Sequence, residues 1–192
     1  MTQSVVPTDS RYIPFVQQPY CCGPACVQMI LYKNGLPLLS QEEIGADLGL
    51  VVPSDQKDAF YKPDYRDTPA VASGFGTRIQ EPEYGLDKLI EKHDWRFKLS
   101  LELASSFSSQ SGLINRLKNL VKEDDDTLIC FQNDHGTGHI CVVDIVDEAI
   151  VRVMDPSQHY PKWRRMSHNE IFDRVTAHGD ANFGGLWILT KQ

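Results

Sequence analysis

Among the five cysteines of this 192-residue chain, Cys22 sits where local structure would change its chemistry. Cys22-Gly23-Pro24-Ala25-Cys26 follows a loop, Ile13-Pro14-Phe15-Val16-Gln17-Gln18-Pro19-Tyr20. It runs into an apolar helical pattern, Val27-Gln28-Met29-Ile30-Leu31-Tyr32. Cys22 therefore falls at or just before the first turn of a helix. There the helix dipole and the unpaired backbone N–H groups favour thiolate over thiol, and the thiolate is the nucleophilic form. Gln17 or Gln18, a few residues upstream, could supply a side-chain N–H to a developing oxyanion.

A cysteine nucleophile needs a base, and the base needs a group to orient it. Of the six histidines, His139 stands out because it opens a β-like run, His139-Ile140-Cys141-Val142-Val143-Asp144-Ile145-Val146. The next run is Ile150-Val151-Arg152-Val153-Met154-Asp155-Pro156. A hairpin turning at Asp147-Glu148 would pair Val146 with Ala149 or Glu148. Equal steps back bring His139 opposite Asp155 within one residue. Directly opposed Cβ atoms lie about 4.5–5.5 Å apart, close enough for an imidazole and a carboxylate to bond. Pro156, with no N–H to give, ends the second strand. His135, in Asn133-Asp134-His135-Gly136-Thr137-Gly138, is the rival base, but it lies in a glycine-rich loop and has no opposed carboxylate. His93, His159, His168 and His178 read as surface or supporting residues.

The other thiols point away from metal and disulfide chemistry. The cysteine count is odd and the spacing gives no framework. Cys130 and Cys141 lie in apolar β-like runs and read as small buried residues. Cys22 and Cys26 could share a helix face, but no histidine or second cysteine pair completes a zinc signature. No cofactor is called for.

Composition fits an ordinary globular domain, with 41% hydrophobic and 23% charged residues. A net charge of −7 argues against a nucleic-acid groove. The longest basic run, Lys162-Trp163-Arg164-Arg165, reads as a solvated face. Residues 1–12 are polar and read as a flexible lead-in before a single domain over 13–192. With no apolar leader segment and no run of roughly 20 apolar residues to span a membrane, the expected compartment is the cytoplasm.

The elements that must position these groups are legible in part. Asn34-Gly35-Leu36-Pro37 stops the first helix. Ser40-Gln41-Glu42-Glu43 is a capping box that opens a second helix over Gln41 to Leu48, closed by Gly49. Residues 51–82 show no sustained period and read as a long surface loop bordering a substrate cleft. Leu86 to Lys92 predicts a short helix. Ser105 to Gly112 breaks the pattern, and Leu113, Leu117, Leu120 and Val121 have helical spacing. Strands are expected over Thr127–Gln132, His139–Val146, Ile150–Met154 and Gly185–Thr190. Ser167-His168-Asn169-Glu170 caps a helix to Val175. Helices first and an antiparallel sheet later make an α+β arrangement.

Taken together, these motifs resemble those of papain-like cysteine peptidases that cleave double-glycine leader peptides, known best as N-terminal domains of bacteriocin-exporting transporters. The resemblance covers roughly residues 13–175 and is weakest between Leu50 and Gln80. It implies a papain-like fold, with a helical N-terminal part packed on a C-terminal antiparallel sheet. It implies Cys22 as nucleophile, His139 as general base and Asp155 as orienter. The family's oxyanion glutamine usually lies six residues before the cysteine. Val16 occupies that place here, so a loop one residue shorter makes Gln17 the donor, with Gln18 the alternative. Cys21 stands where the family often has Asp or Tyr, and Gly23-Pro24 fixes the motif on Cys22. No transporter is attached, which implies a free-standing enzyme. The expected partner is a peptide or protein substrate. Acyl transfer on the same machinery, as in phytochelatin synthases, is the first alternative. A non-catalytic peptide-binding module is the second.

Overall fold

The computed structural model describes residues 7–60, 75–79, 84–160 and 162–192. The caps at Ser40 and Ser167 and the stop at Asn34 are as expected, and Ser109, inside the stretch read as a break, adds one more. Helix α1 (Cys22–Lys33) stops at Asn34, followed by Gly35 in the left-handed region. Helix α2 (Gln41–Asp47) opens on the full Ser40–Glu43 capping box. Helix α4 (Gln110–Lys122) takes Ser109 as its cap, and α5 (His168–His178) takes Ser167. Between α2 and α4 lies the short α3 (Leu86–Lys92). Most of the expected long loop after residue 51 falls outside the described residues. Within them it contains a 3-10 turn, Ser54–Ala59, and a bridge between Val51 and Gly76.

The sheet has six antiparallel strands: β1 (Phe97–Leu103), β2 (Asp126–Gln132), β3 (Gly138–Val146), β4 (Ile150–Met154), β5 (Trp163–Ser167) and β6 (Gly185–Lys191). Their order is β1-β6-β2-β3-β4-β5. The chain is thus α+β, as expected. The two edge strands, β1 and β5, extend the sheet beyond the four strands legible in the sequence. Strand β5 runs through the basic stretch read as a solvated face. Pairing alternates that stretch between faces, so Arg165 is exposed while Arg164 is buried, with only 8% of its surface accessible.

Both faces of the sheet are covered, because successive strand residues point to opposite sides. Leu128, Cys130, Ile140, Val142, Trp187 and Leu189 pack with Cys26, Met29 and Ile30 of α1 and with Leu86, Leu89 and Ile90 around α3. Ile129, Phe131, Cys141, Val143, Leu186 and Ile188 pack with Leu113, Leu117 and Leu120 of α4 and with Ile171 and Val175 of α5. Cys130 and Cys141 are buried on these strands. Ser10 to Tyr12, within the stretch read as a flexible lead-in, are anchored. The Arg11 N–H and the Ser10 hydroxyl donate to the buried Asp144, and the Tyr12 hydroxyl donates to Asp126 at 2.6 Å. Each buried carboxylate needs donors, and these residues supply them.

Candidate active site

Cys22 is the first residue of α1, and no side chain caps that helix. No acidic residue stands in its first turn either. Among the described residues no side chain accepts from the backbone N–H groups there, so they can face an anion. Pro24 costs the helix nothing in its first turn, where an N–H has no intrahelical partner. Gly23 allows close approach: a Cβ there would lie 3.1 Å from Thr77 Oγ1 and 3.7 Å from Ile140 Cδ1.

The expected pair forms. His139 Nε2 lies 2.8 Å from Asp155 Oδ1, with both residues buried. The same oxygen accepts the Ser157 N–H at 2.9 Å. The ring also stands edge-on to Phe131, its cross-strand neighbour. The register that makes the pair differs from the expected one. Val146 pairs with Val151, not with Ala149 or Glu148, and an irregularity lies between Val143 and Ile145. The turn is wider because Asp147 Oδ1 accepts the N–H groups of both Ala149 and Ile150. The last β3–β4 pair is Val142 with Met154. One further step sets Asp155 beside Cys141, so His139 reaches the carboxylate on the diagonal.

Cys22 and His139 lie close enough for each to shift the other's titration. Burial opposes a thiolate at Cys22, but His139, by hydrogen bond and charge, and the backbone amides of Ile140 and Gly23 bring its pKa below the ordinary thiol value. Burial also opposes an imidazolium at His139. Cys141, Asp155 and Cys22 outweigh it and hold that pKa well above the ordinary histidine value. Cys141 itself is pushed up to about 12, chiefly by burial, and is neutral near pH 7. The negative charge supporting the imidazolium is therefore that of Asp155 and Cys22. At Asp155 burial is again overcome, by His139, the Ser157 N–H and Arg164, and the carboxyl lies below its usual range.

The four other cysteines behave oppositely. Cys21, 0% exposed in a small cluster with Leu50, Val52 and Phe60, is driven far up by burial and by the charges of Cys22 and Glu42. Burial likewise raises Cys26, and it pushes Cys130 to about 12. Cys26 Sγ lies 3.4 Å from the Ile140 carbonyl oxygen.

The two upstream glutamines have different surroundings. Gln18 Nε2 donates to the Ala59 carbonyl at 3.1 Å. Among the described residues the Gln17 side chain makes no hydrogen bond, and its Oε1 is buried without a partner. The Gln17 N–H donates to the Pro156 carbonyl at 2.9 Å, which ties this loop to the residue after Asp155. Gln41, not singled out in the sequence, clamps the same loop. Its Oε1 accepts the Gln18 N–H at 2.7 Å and its Nε2 donates to the Val16 carbonyl at 2.8 Å. A cleft of about 240 Å³ opens here, lined by Gln17, Gln18, Gln56, Ser157, Gln158 and His159.

His135 is exposed in an Asn133 turn. His93 stacks on Trp95. Neither belongs to the His139 site. One set of possible metal donors exists among the described residues: His139, Cys141 and Asp155, with one ligand atom from each within 4.8 Å of the others. Two of these are already bonded to each other, so the arrangement is complete as a hydrogen-bonded pair.

No protein-family model matches this chain, and no curated protein does. Among solved structures, it is similar to the crystal structure of a putative C39-like peptidase from Bacillus anthracis, with a TM-score of 0.57 and 15% sequence identity. The overlap takes in 94% of this chain and 95% of that one. The fold is thus that of a papain-like C39 peptidase.

Proposed function

We propose that this chain is a cysteine peptidase that cleaves a peptide bond through Cys22, His139 and Asp155, with Gln17 completing an oxyanion site. The observation that carries this reading is the buried 2.8 Å His139–Asp155 bond beside a cysteine that begins an uncapped helix. The C39-like fold supports it.

The Cys22 thiolate attacks the substrate carbonyl carbon and the carbonyl π electrons move onto oxygen. The Cys22 backbone N–H and the Gln17 side-chain amide hold that oxyanion. Collapse breaks the C–N bond, and His139 gives its proton to the departing amine. Nε2 is held by Asp155, so Nδ1 is the nitrogen that works at the thiol. The acyl-enzyme then takes water, with His139 as base, and thiolate and imidazolium return. The cleft lies on the Gln17 and Ser157 side, where an extended peptide would leave or enter. Among the described residues no helix is long and apolar enough to cross a membrane.

A diverse peptide library incubated with the protein and read by mass spectrometry tests the reading. New termini are expected with wild type and none with Cys22→Ala. Products capped by an added amine in place of water would assign acyl transfer to the same residues. A library left intact, with no thioester on Cys22, contradicts the proposal.

A further inference from the structure

Asp155 uses one carboxylate oxygen twice and the other not at all. Oδ1 accepts from His139 and Ser157, while Oδ2 is buried with no hydrogen-bond partner. The atom that faces Oδ2 is Arg164 Nη1, 3.6 Å away, which is also buried and without a partner. An unpaired charged donor and an unpaired charged acceptor thus point at each other, where either alone would be costly.

The guanidinium is held there from several sides. It lies 4.2 Å from the centroid of the Tyr160 ring and 5.9 Å from that of Phe131, the residue edge-on to His139. Nη2 lies 3.7 Å from Asp134 Oδ1 and 3.6 Å from Glu170 Oε1. Arg174 pairs with the same two carboxylates, so they are not left for Arg164 to neutralise alone. Tyr160 is itself fixed by donating to Asp134 at 2.9 Å. Backbone pairing of β5 with Val153, two residues before Asp155, sets the arginine's place along β4.

We infer that Arg164 is a positioning residue for the proposed peptidase reaction: it keeps Asp155 ionised and turns its Oδ1 edge toward His139. The inference rests on the Cys22–His139–Asp155 reading. Arg164 touches neither Cys22 nor the substrate cleft and acts through Asp155. Without the cation the carboxylate takes up a proton more readily and is free to rotate off the ring. His139 then supports the Cys22 thiolate less well. The charged and titratable groups near this chain of contacts are Cys26, His139, Cys141 and Lys162 around Asp155, Asp134, Tyr160, Glu170 and Arg174 around Arg164, and Cys21, Cys26, Cys130, His139 and Cys141 around Cys22.

The test reads the pH dependence of Cys22 alkylation by iodoacetamide, site-mapped by mass spectrometry, and needs no substrate. Arg164→Gln should move the midpoint upward, by less than the shift of about one pH unit or more that a lost opposite charge costs the carboxylate it touches, because the effect reaches Cys22 through Asp155 and His139. Arg164→Lys should move it less, in the same direction. Arg174→Gln, which removes a cation from Asp134 and Glu170 only, should leave it in place. In an Asp155→Asn background most of the Arg164 effect should vanish. Should Arg164→Gln fail to fold, the Arg164→Lys shift decides. Midpoints that superimpose on wild type in folded Arg164 variants, or an equal shift from Arg174→Gln, overturn the inference. A library left uncut, with these shifts intact, would instead sink the peptidase reading and leave the Arg164–Asp155 coupling standing.

Discussion

Neighbouring glutamines and neighbouring cysteines have different side-chain surroundings here, and the proposed roles follow from that difference. Gln18 spends its amide on Ala59, whereas among the described residues the Gln17 amide, beside the cleft, has no hydrogen-bond partner. Gln17→Ala should lower kcat by roughly 10²–10³, the usual effect of removing one preorganised donor. Gln18→Ala should change kcat less than about tenfold on the same scale. The reverse ordering in steady-state kinetics would transfer the role to Gln18. In the proposed reaction Asp155 orients the ring by accepting its hydrogen bond, and a neutral oxygen can also accept one. Asp155→Asn should therefore keep measurable activity while folded Asp155→Ala loses more. A near wild-type kcat/KM for Asp155→Ala would reduce it to a turn residue before Pro156. At this scale the sequence was informative about Cys22, because a helix start is a local signal. It was silent on Arg164 and Gln41. Nothing in a basic run says which arginine a sheet will bury, and nothing in a capping box says that its second residue will grip a loop more than twenty positions away.

Element by element, legibility followed locality. The helices opened by Ser40 and Ser167 were readable with their caps, since cap and periodicity lie within a few residues of each other, whereas the Ser109 cap of α4 was lost in a serine-rich stretch. The hairpin that joins His139 to Asp155 was readable only in outline. Its turn is set by Asp147 and its register by the irregularity near Asp144, and neither has a strong signature. The diagonal contact forms because imidazole and carboxylate can reach beyond a directly opposed pair. Strand β1 was missed although Phe97, Leu99, Leu101 and Leu103 alternate with polar residues, the expected pattern of a half-covered edge. Its partner β6 gives a sharp test. Gly185, at φ +144, has no room for a side chain, since a Cβ would land on the Glu102 carbonyl oxygen and 2.8 Å from Leu103 Cα. Gly185→Ala should cost at least about 2 kcal/mol in denaturant unfolding. An unchanged midpoint would mean that β1 does not pack on β6 this closely.

On the scale of the whole molecule, a sheet covered on both faces carries the proposed site at the start of β3 and a separate charged cluster beyond the end of α1. In that cluster Lys33 donates to Asp124 and Asp126, Arg11 and Lys191 also reach Asp124, and Tyr12 and Asn34 donate to Asp126. Burial raises the Asp124 carboxyl, but the hydrogen bonds from Lys33, Arg11 and Lys191 together outweigh it and hold the carboxyl well below the usual range. A depressed carboxyl stabilises the fold above its unfolded pKa, about 3.9. That contribution fades as pH falls through the lower folded value. Asp124→Asn should therefore lower the melting temperature at neutral pH, with the gap to wild type closing in strong acid. A gap that is constant with pH would remove the electrostatic explanation. On the proposed reading, one thiol of five is made reactive by a helix start and a histidine from the sheet. Competitive iodoacetamide labelling near neutral pH, mapped by mass spectrometry in wild type and His139→Ala, tests it most directly. Rapid modification of Cys22 alone, slowed strongly by His139→Ala, is the expected result. Equal labelling of Cys21 and Cys22, or a Cys22 rate indifferent to His139, would contradict it.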